Sequence, residues 1–421
     1  MNKIGAVFSG QGSQYVGMGK ELCENFAVAK ETFQEANEKL KFDLMKLCFE
    51  GDENELKRPE NCQPAVLTLS TAFYRVFSDE FGIKPRIFAG HSLGEYSALT
   101  CEGSVSFSDA LAMVKKRGEL IGKAATKTDG TMAAIIDINS DIIEDYCNER
   151  KNDSGILSVS NYNTEKQTVI SGNVGLVDEA AKYFENIGAT VKRLNVTGGF
   201  HSLLLSDAAV KFKSFLEDYE FLDPKQEVIS NTNGLPYKNG KDIKEKLVKQ
   251  IVQPVKWVDT MNYFLRTRID TVIEFGPKKT LRNFFRSLDQ KLSTFSYDDP
   301  ENFNEVRKQL KDASIIAEQY RDFIQRCISI IACTKNNAIN EDMYKKNVID
   351  TCEEIRSIEK SIITYDSNTL ELCRRVLQLT QTALDTKMIP QIEREERFKE
   401  LIVKSGNYEL ESMIDRFCRV L

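Results

Sequence analysis

The chain has 421 residues, which is long for one domain, and its hydrophobic content of 41% can support a sizeable core. Its net charge of −6 lacks the basic excess that nucleic acids and acidic membrane surfaces attract, so neither is an expected partner. The N-terminal apolar run is too short for a signal peptide, and no run approaches the length of a membrane span.

Cysteine and histidine limit the chemistry that is available. The ten cysteines form no C-x-x-C pair and no zinc-type spacing, which predicts reduced thiols in a cytoplasmic protein. His91 and His201 are the only histidines in the sequence. A histidine-based metal site is therefore not expected, and any histidine-dependent catalysis must use one of these two residues.

Strands and helices alternate in the first part of the chain. The predicted strands are 3–9, 86–90, 227–231 and 271–275, and the predicted helices include 64–81 and 107–123. Pro64 is placed in the first turn of its helix, where proline is tolerated. This alternation is typical of a parallel sheet flanked by helices.

A different pattern occupies residues 131–196. Its elements are predicted as strand 131–137, helix 140–149, strands 156–161 and 167–171, helix 176–187 and strand 190–195. The order βαββαβ is ferredoxin-like and complete in itself. We therefore predict a small ferredoxin-like subdomain at 131–196, inserted into an α/β domain made of residues 1–130 and 197–292.

The composition changes after residue 300. Residues 301–421 contain one glycine and one proline, and apolar residues recur at helical spacing in 313–333. This predicts an α-helical C-terminal extension at 301–421, joined to the α/β domain by a linker at 293–300.

Residues 90–94 read Gly-His-Ser-Leu-Gly and directly follow the predicted strand 86–90. A G-x-S-x-G sequence between a strand and a helix is a nucleophile elbow, in which glycines let the chain double back and expose the serine hydroxyl. Ser92 is thus the candidate nucleophile of an α/β-hydrolase-like domain. The N–H of Leu93, at the start of the next helix, can face a developing oxyanion.

Ser92 needs a base, and His201 is the candidate. It follows the glycine pair Gly198–Gly199, where the chain re-enters the large domain, so it can face the elbow. The order serine then histidine is that of α/β-hydrolase-type enzymes. The alternative is a loop histidine that caps a helix. His91 is expected to point away from the nucleophile, and no acidic third member can be chosen among 63 acidic residues.

Several motifs occur in one order along the chain. They are Gly10-Gln11-Gly12-Ser13-Gln14, Gly90-His91-Ser92-Leu93-Gly94-Glu95-Tyr96, Arg117-Gly118, Asn161-x-Asn163, Gln167-x-Val169-Ile170-Ser171-Gly172, Gly199-Phe200-His201-Ser202, Gln250-x-x-x-Pro254-Val255-x-Trp257 and Glu274-Phe275-Gly276-Pro277. In this order they resemble the malonyl-CoA:acyl carrier protein transacylase family, from about residue 3 to about residue 290.

The resemblance implies that a malonyl group passes from malonyl-CoA, through an acyl-enzyme at Ser92, to the phosphopantetheine thiol of an acyl carrier protein. It implies that His201 is the general base and acid, with its Nδ1 held by the main-chain carbonyl of Gln250. The N–H groups of Gln11 and Leu93 would form the oxyanion hole. The implied partners are the carrier protein and the coenzyme A thioester, and no tightly bound cofactor is expected.

Arg117 is the residue that the resemblance assigns to the substrate carboxylate. Its planar fork of donors matches a carboxylate bidentately, and a neutral acetyl group would leave the guanidinium unpaired. Arg117 falls beside an apolar helical stripe that includes Val114 and Ile121. The alternative is a solvated helix position next to Lys115 and Lys116.

Three further residues are assigned to the acyl pocket by the resemblance. Phe200 matches the malonyl-selecting form of the loop, because a bulky ring would crowd an α-methyl group. Gln63 matches a position near the pocket, with a polar residue at a helix N-terminus as the alternative. Asn161 can contact substrate, although an asparagine in a turn between strands is the default reading.

Two other functions compete with transfer. A hydrolase could remove acyl groups from carrier proteins with the same Ser92–His201 pair and water as acceptor, but it would gain nothing from a carboxylate clamp at Arg117. A non-catalytic scaffold would not need these residues. The extension can pack on the core, form oligomers or dock a carrier protein, and the sequence does not decide among these.

Overall fold

The computed structural model describes residues 3–150, 155–196, 198–338, 340–363, 365, 368–405 and 408–418. Contacts divide the chain into two compact units, residues 3–304 and residues 305–421. Within the described residues, none of the helices combines the length and the apolar character needed to span a membrane.

The strands are β1 (Ile4–Phe8), β2 (Ile87–Gly90), β3 (Gly130–Ile136), β4 (Leu157–Thr164), β5 (Gln167–Asn173), β6 (Thr190–Arg193), β7 (Glu227–Ile229), β8 (Val255–Lys256), β9 (Thr271–Phe275) and β10 (Ser293–Ser296). The helices of the first unit are α1 (Lys20–Asn25), α2 (Ala27–Leu40), α3 (Leu44–Glu50), α4 (Glu53–Lys57), α5 (Pro59–Phe81), α6 (Gly94–Glu102), α7 (Phe107–Ala125), α8 (Ser140–Glu149), α9 (Val174–Asn186), α10 (Ser206–Leu216), α11 (Gly240–Gln250), α12 (Trp257–Arg266) and α13 (Thr280–Leu288). The remaining helices are α14 (Pro300–Cys333), α15 (Glu341–Tyr344), α16 (Asp350–Ser361), α17 (Thr369–Thr386), α18 (Gln391–Ser405) and α19 (Tyr408–Cys418).

The first unit contains a five-stranded parallel sheet. Its order is β10-β9-β1-β2-β7, and every neighbouring pair is parallel. Strands β1, β2 and β9 are buried along their whole length, as expected when helices cover both faces of a parallel sheet. The loops that follow β1, β2 and β7 leave the same edge of the sheet, which brings residues far apart in sequence together there.

The second sheet has the order β6-β3-β5-β4-β8. Its first four strands are antiparallel, with α8 and α9 as the two helices of a βαββαβ unit. The ferredoxin-like pattern predicted from the sequence is confirmed. The short strand β8 pairs in parallel with β4 and adds a fifth strand that the sequence did not indicate.

Two local predictions are wrong. The segment predicted as a linker forms strand β10, because Ser293–Ser296 pair in register with β9 and the following Tyr297 is buried. The helix predicted from residue 64 begins five residues earlier. Pro59 occupies its first turn, so Pro64 lies inside the helix.

The second unit is helical, as predicted. Its core is an apolar cluster that includes Tyr320, Phe323, Leu377, Phe398 and Ile414, all buried. Helices α14, α16, α17, α18 and α19 contribute to this cluster.

Candidate active site

Ser92 lies in the turn between β2 and α6, at the carboxyl edge of the parallel sheet. Its φ of 53° is in the left-handed region, which a serine adopts only when its surroundings impose it. The flanking glycines permit the turn. An added Cβ on Gly90 would lie 1.9 Å from the Gly94 carbonyl carbon, and one on Gly94 would lie 2.1 Å from the Phe8 carbonyl oxygen. The chain therefore forms the sharp turn that the Gly90–Gly94 pattern predicts.

Two side chains hold the main-chain polar groups of Ser92. Its N–H donates to Asn231 Oδ1 at 2.7 Å, and its carbonyl accepts from Gln250 Nε2 at 2.8 Å. Asn231 follows β7, and Gln250 ends α11. The strained turn is thus held by residues more than 130 positions away in sequence.

His201 connects Ser92 with Gln250. Its Nε2 lies 2.7 Å from Ser92 Oγ, and its Nδ1 lies 2.7 Å from the Gln250 main-chain oxygen. Because a carbonyl oxygen only accepts, Nδ1 carries the proton and the Nε2 lone pair faces the hydroxyl. Burial, and after it the nearby charge of Arg117, lower the pKa of His201 to about 3. This neutral imidazole can accept the Ser92 proton. Because Gln250 is the last residue of α11, the same ring also bonds the final carbonyl of that helix, so the two alternatives for His201 are compatible.

His91 contacts different residues. Its Nε2 lies 2.9 Å from Asn163 Oδ1, and its ring centroid lies 5.5 Å from that of Trp257. Burial lowers the pKa of His91. The ring is therefore packed and oriented beside the site, as expected of the residue that precedes the nucleophile.

Arg117 on α7 is 3% exposed, so the alternative of a solvated helix position is wrong. Its Nη1 donates to Gln63 Oε1 at 3.0 Å, and its Nη2 donates to Gln250 Oε1 at 2.9 Å and to Ser92 Oγ at 3.3 Å. These acceptors are uncharged, and across the described residues no carboxylate forms an ion pair with it. Its Nε is buried and has no partner in the described part of the chain. The guanidinium can therefore bind an acidic group that enters the site.

Gln63 connects Arg117 to the loop after β1. It is fully buried inside α5, so the alternative of a polar residue at the helix N-terminus is wrong. While its Oε1 accepts from Arg117, its Nε2 donates to Gln11 Oε1 at 3.2 Å.

Gln11 and Leu93 bring two main-chain N–H groups beside the nucleophile. Leu93 is the residue before α6, where the helix dipole favours negative charge, and Gln11 lies in the loop after the adjacent strand. That loop packs against the elbow, since an added Cβ on Gly10 would lie 2.5 Å from the His91 carbonyl oxygen. In the ranges that the structure describes, neither amide has a protein acceptor. Such a pair of donors can stabilise an oxyanion.

A cavity of about 160 Å³ opens at these groups. Ser92, His201, Arg117, Gln11 and Gln63 line it. Its apolar lining includes Ile121, Met132, Val169, Leu194, Phe200 and Ile251. Its small volume and mixed lining suit a short acyl chain that carries one charged group.

Asn161 also lines the cavity. It lies within strand β4 and is 5% exposed, so its default reading as a turn residue is wrong. Its Oδ1 accepts from Ser160 Oγ at 2.8 Å. The predicted strand 156–161 ended at this residue, and an asparagine at the end of a strand has the same local signal as one in a turn.

Three polar residues around the elbow were not predicted from the sequence. Asn231, Glu95 and Tyr237 are buried, and Asn231 and Tyr237 both donate to Glu95. A signal was present for two of them. Asn231 ends a predicted strand at the carboxyl edge of the sheet, and Glu95 is a charged residue directly after the elbow.

A serine–histidine pair on a parallel α/β sheet, beside a second and mainly antiparallel sheet, fits the class of α/β acyltransferases, and the comparisons assign the chain to it. Residues 6–317 match the family described as "Acyl transferase domain". A malonyl CoA-acyl carrier protein transacylase from Bacillus subtilis (strain 168) is 40% identical over 315 residues, which cover 74% of this chain and 98% of the relative. The chain belongs to the malonyl CoA-acyl carrier protein transacylase family.

Solved structures agree with this assignment. The malonyl CoA-acyl carrier protein transacylase of Coxiella burnetii has a TM-score of 0.71 and 34% identity, covering 73% of this chain and 98% of that one. The structure of a type II polyketide synthase acyl-carrier protein in complex with its malonyl-transacylase has a TM-score of 0.68 and 34% sequence identity. The match covers 70% of this chain and 96% of that chain. The resemblance read from the ordered motifs is confirmed.

Proposed function

We propose that this enzyme transfers a malonyl group from malonyl-CoA to the phosphopantetheine thiol of an acyl carrier protein, in fatty-acid or polyketide biosynthesis. The observation that carries the proposal is one connected set of contacts in the cavity. Gln250 holds His201, His201 contacts Ser92, and Arg117 lies beside the same hydroxyl with no carboxylate paired to it among the residues that the structure describes.

In the first half-reaction, Ser92 Oγ attacks the thioester carbonyl of malonyl-CoA while His201 Nε2 takes its proton. The N–H groups of Gln11 and Leu93 receive the negative charge that develops on the carbonyl oxygen. The tetrahedral intermediate collapses with cleavage of the C–S bond. The protonated His201 gives its proton to the leaving thiolate, which yields free coenzyme A and malonyl-Ser92.

In the second half-reaction, the carrier's phosphopantetheine thiol enters and His201 takes its proton. The thiolate attacks the Ser92 ester, and the same two amides hold the oxyanion. Cleavage of the C–O bond releases Ser92, which recovers its proton from His201. Each half-reaction thus returns the imidazole to the neutral form that burial favours.

Arg117 supplies the preference for a charged acyl group. A malonyl carboxylate can pair with the guanidinium, whose present acceptors are neutral amides and a hydroxyl. An acetyl group leaves a buried charge without an anionic partner, which is unfavourable. Phe200 and Asn161 line the rest of the acyl cavity. The competing hydrolase is not favoured, because release of uncharged acyl chains makes no use of Arg117.

No tightly bound cofactor enters the proposed chemistry, in which malonyl-CoA is a substrate. We place the enzyme in the cytoplasm. All ten cysteines are free thiols, which is typical of proteins in a reducing compartment.

Intact-mass analysis of the full chain tests the proposal. The protein is mixed with malonyl-CoA or acetyl-CoA, and holo acyl carrier protein is then added. We expect a malonyl adduct that is absent in Ser92→Ala and that moves to the carrier. Rapid release of free acid with no stable adduct would instead indicate a hydrolase. No reaction in the unaltered chain would contradict both functions.

A further inference from the structure

Glu95 is a fully buried carboxyl group three positions after the nucleophile, and the reaction as written gives it no role. Its Oε1 accepts from the Asn231 main-chain N–H at 3.0 Å and from the Tyr237 hydroxyl. Its Oε2 accepts from Gln250 Nε2. Burial raises the pKa of Glu95, and these donors act in the opposite direction. These three hydrogen-bond partners all present donors to Glu95, which is the arrangement that a carboxylate requires.

Two of these partners are the residues that hold Ser92. Asn231 accepts from the Ser92 N–H and donates through Nδ2 to the Gly90 carbonyl at 2.7 Å. Gln250 donates to the Ser92 carbonyl. Glu95 therefore accepts from the Asn231 main chain and the Gln250 side chain, which belong to the two residues that keep the nucleophile in its left-handed conformation.

The contact with Gln250 has a second consequence. With its Nε2 committed to Glu95 and to the Ser92 carbonyl, the Gln250 amide must present Oε1 to Arg117, at 2.9 Å. A flipped amide would place N–H groups against the guanidinium and an oxygen against the Ser92 carbonyl. Together with the Ser92 carbonyl, the carboxylate holds the Gln250 amide with its Oε1 facing the arginine.

We propose that Glu95 is a positioning residue for acyl transfer, orienting Ser92 through Asn231 and Gln250 and orienting Arg117 through Gln250. The part that concerns Arg117 rests on the proposed malonyl transfer. The part that concerns Ser92 does not, because it applies to any reaction of this hydroxyl.

Glu95→Gln tests the proposal, with Glu102→Gln as the matched control. Glu102 lies on the same helix, α6, and also accepts from three protein groups, which are the N–H groups of Lys225 and Gln226 and the Ser104 hydroxyl. It contacts none of Ser92, Gln250 and Arg117 in these bonds. The two variants therefore make the same change in the same helix, at sites that differ in their link to the nucleophile.

Three single-turnover rates are measured on each full-length variant, together with its thermal unfolding. They are acylation of Ser92 by malonyl-CoA, acylation by acetyl-CoA, and sulfonylation by phenylmethanesulfonyl fluoride. For Glu95→Gln we expect all three rates to fall by about 10-fold or more, with malonyl falling about 10-fold further than acetyl, because only malonyl uses Arg117. For Glu102→Gln we expect rates within threefold of the unaltered chain.

A change in the malonyl-to-acetyl ratio separates positioning from general loosening of the fold, which would slow both thioesters equally. The proposal is overturned if Glu95→Gln keeps its rates within threefold, or if both variants lose activity in proportion to their loss of stability. Should Glu95→Gln not fold, Glu95→Asp keeps the charge, shortens its reach to Asn231 and Gln250, and carries the same expected drop in the ratio.

The sulfonylation rate distinguishes failure of the proposed malonyl transfer from failure of the positioning role of Glu95. If the unaltered chain is sulfonylated but takes no malonyl group, the proposed function fails. In that case slower sulfonylation of Glu95→Gln still supports positioning of Ser92, and unchanged sulfonylation overturns it.

Discussion

Each unit of this protein buries a cation that is 3% exposed, Arg117 in the α/β unit and Lys387 in the helical unit, and their surroundings are of opposite kinds. Lys387 Nζ donates to the main-chain carbonyls of Ile331 and of Thr334, the latter at 2.7 Å, at the end of α14. Arg117 donates to side chains in a cavity beside Ser92. Burial of a charge is therefore common to a structural role and a functional one, and the nature of the partners separates them.

The same contrast extends to the other buried polar groups. In the helical unit, the buried polar side chains among the described residues are four threonines and Lys387, set in an apolar cluster. The α/β unit buries an acid, several amides, a histidine and an arginine around one turn. Such groups are costly to bury unless they are fully paired, so their concentration around Ser92 marks the site.

The largest expected effect comes from the base. His201→Asn should lower the rate of Ser92 acylation by malonyl-CoA by about 10³-fold, because in the described part of the chain only His201 offers the Ser92 hydroxyl an acceptor. Single-turnover quench experiments with intact-mass detection measure this rate. A loss of less than tenfold in a variant that folds normally would mean that His201 is not the base.

Arg117 should show the next largest effect, and a selective one. Arg117→Met should lower malonyl acylation by about 10²-fold, because two charge-assisted hydrogen bonds to the carboxylate are lost. Acetyl acylation should stay within threefold. The ratio of the two acylation rates is the measurement, and equal losses with both thioesters would exclude a carboxylate clamp.

Lys387 tests the other side of the comparison. Lys387→Met removes a donor from two carbonyls at the end of α14 and should destabilise that region by about 1–3 kcal/mol. Hydrogen exchange of the last turn of α14 should become faster, while malonyl acylation stays within twofold. The exposed Lys360, at the end of α16, provides the control Lys360→Met, for which exchange should not change. Slower malonyl acylation in Lys387→Met would contradict the assignment of a purely structural role to Lys387 and a functional role to Arg117.

The smallest expected effect is a response to pH. The pKa of His201 is lowered to about 3, so the imidazole stays neutral, and able to accept a proton, as pH falls from 8 to 5. Acylation by acetyl-CoA, which has no acyl carboxylate of its own, should change less than twofold over this range. A base with an ordinary pKa near 6.5 would lose about thirtyfold. A loss of that size would show that the imidazole is more solvated than the fold implies.

Local sequence patterns predicted the elements closest to the chemistry. The strand before Gly90, the two flanking glycines and the order of Ser92 and His201 indicate an elbow with a histidine base. The βαββαβ order could also be predicted, because the spacing of apolar residues differs between its helices and its strands. The linker prediction failed where the pattern was weak, since Ser293–Ser296 carries little apolar signal and becomes a strand through pairing with β9. The division of residues 1–292 into a core and a separate subdomain stays a prediction.

The sequence by itself determined the class of fold and predicted a candidate nucleophile and a candidate base. The apolar periods and the glycines that flank Ser92 act locally, and only two histidines are available as a base. What only the tertiary structure decided is how the strained turn is held. Asn231 lies 139 residues from Ser92, and Gln250 lies 155 residues from Glu95, yet the parallel sheet brings them into contact. Hydrogen bonds over such separations leave no local period or spacing in the sequence, so they become visible only when the strands are assembled.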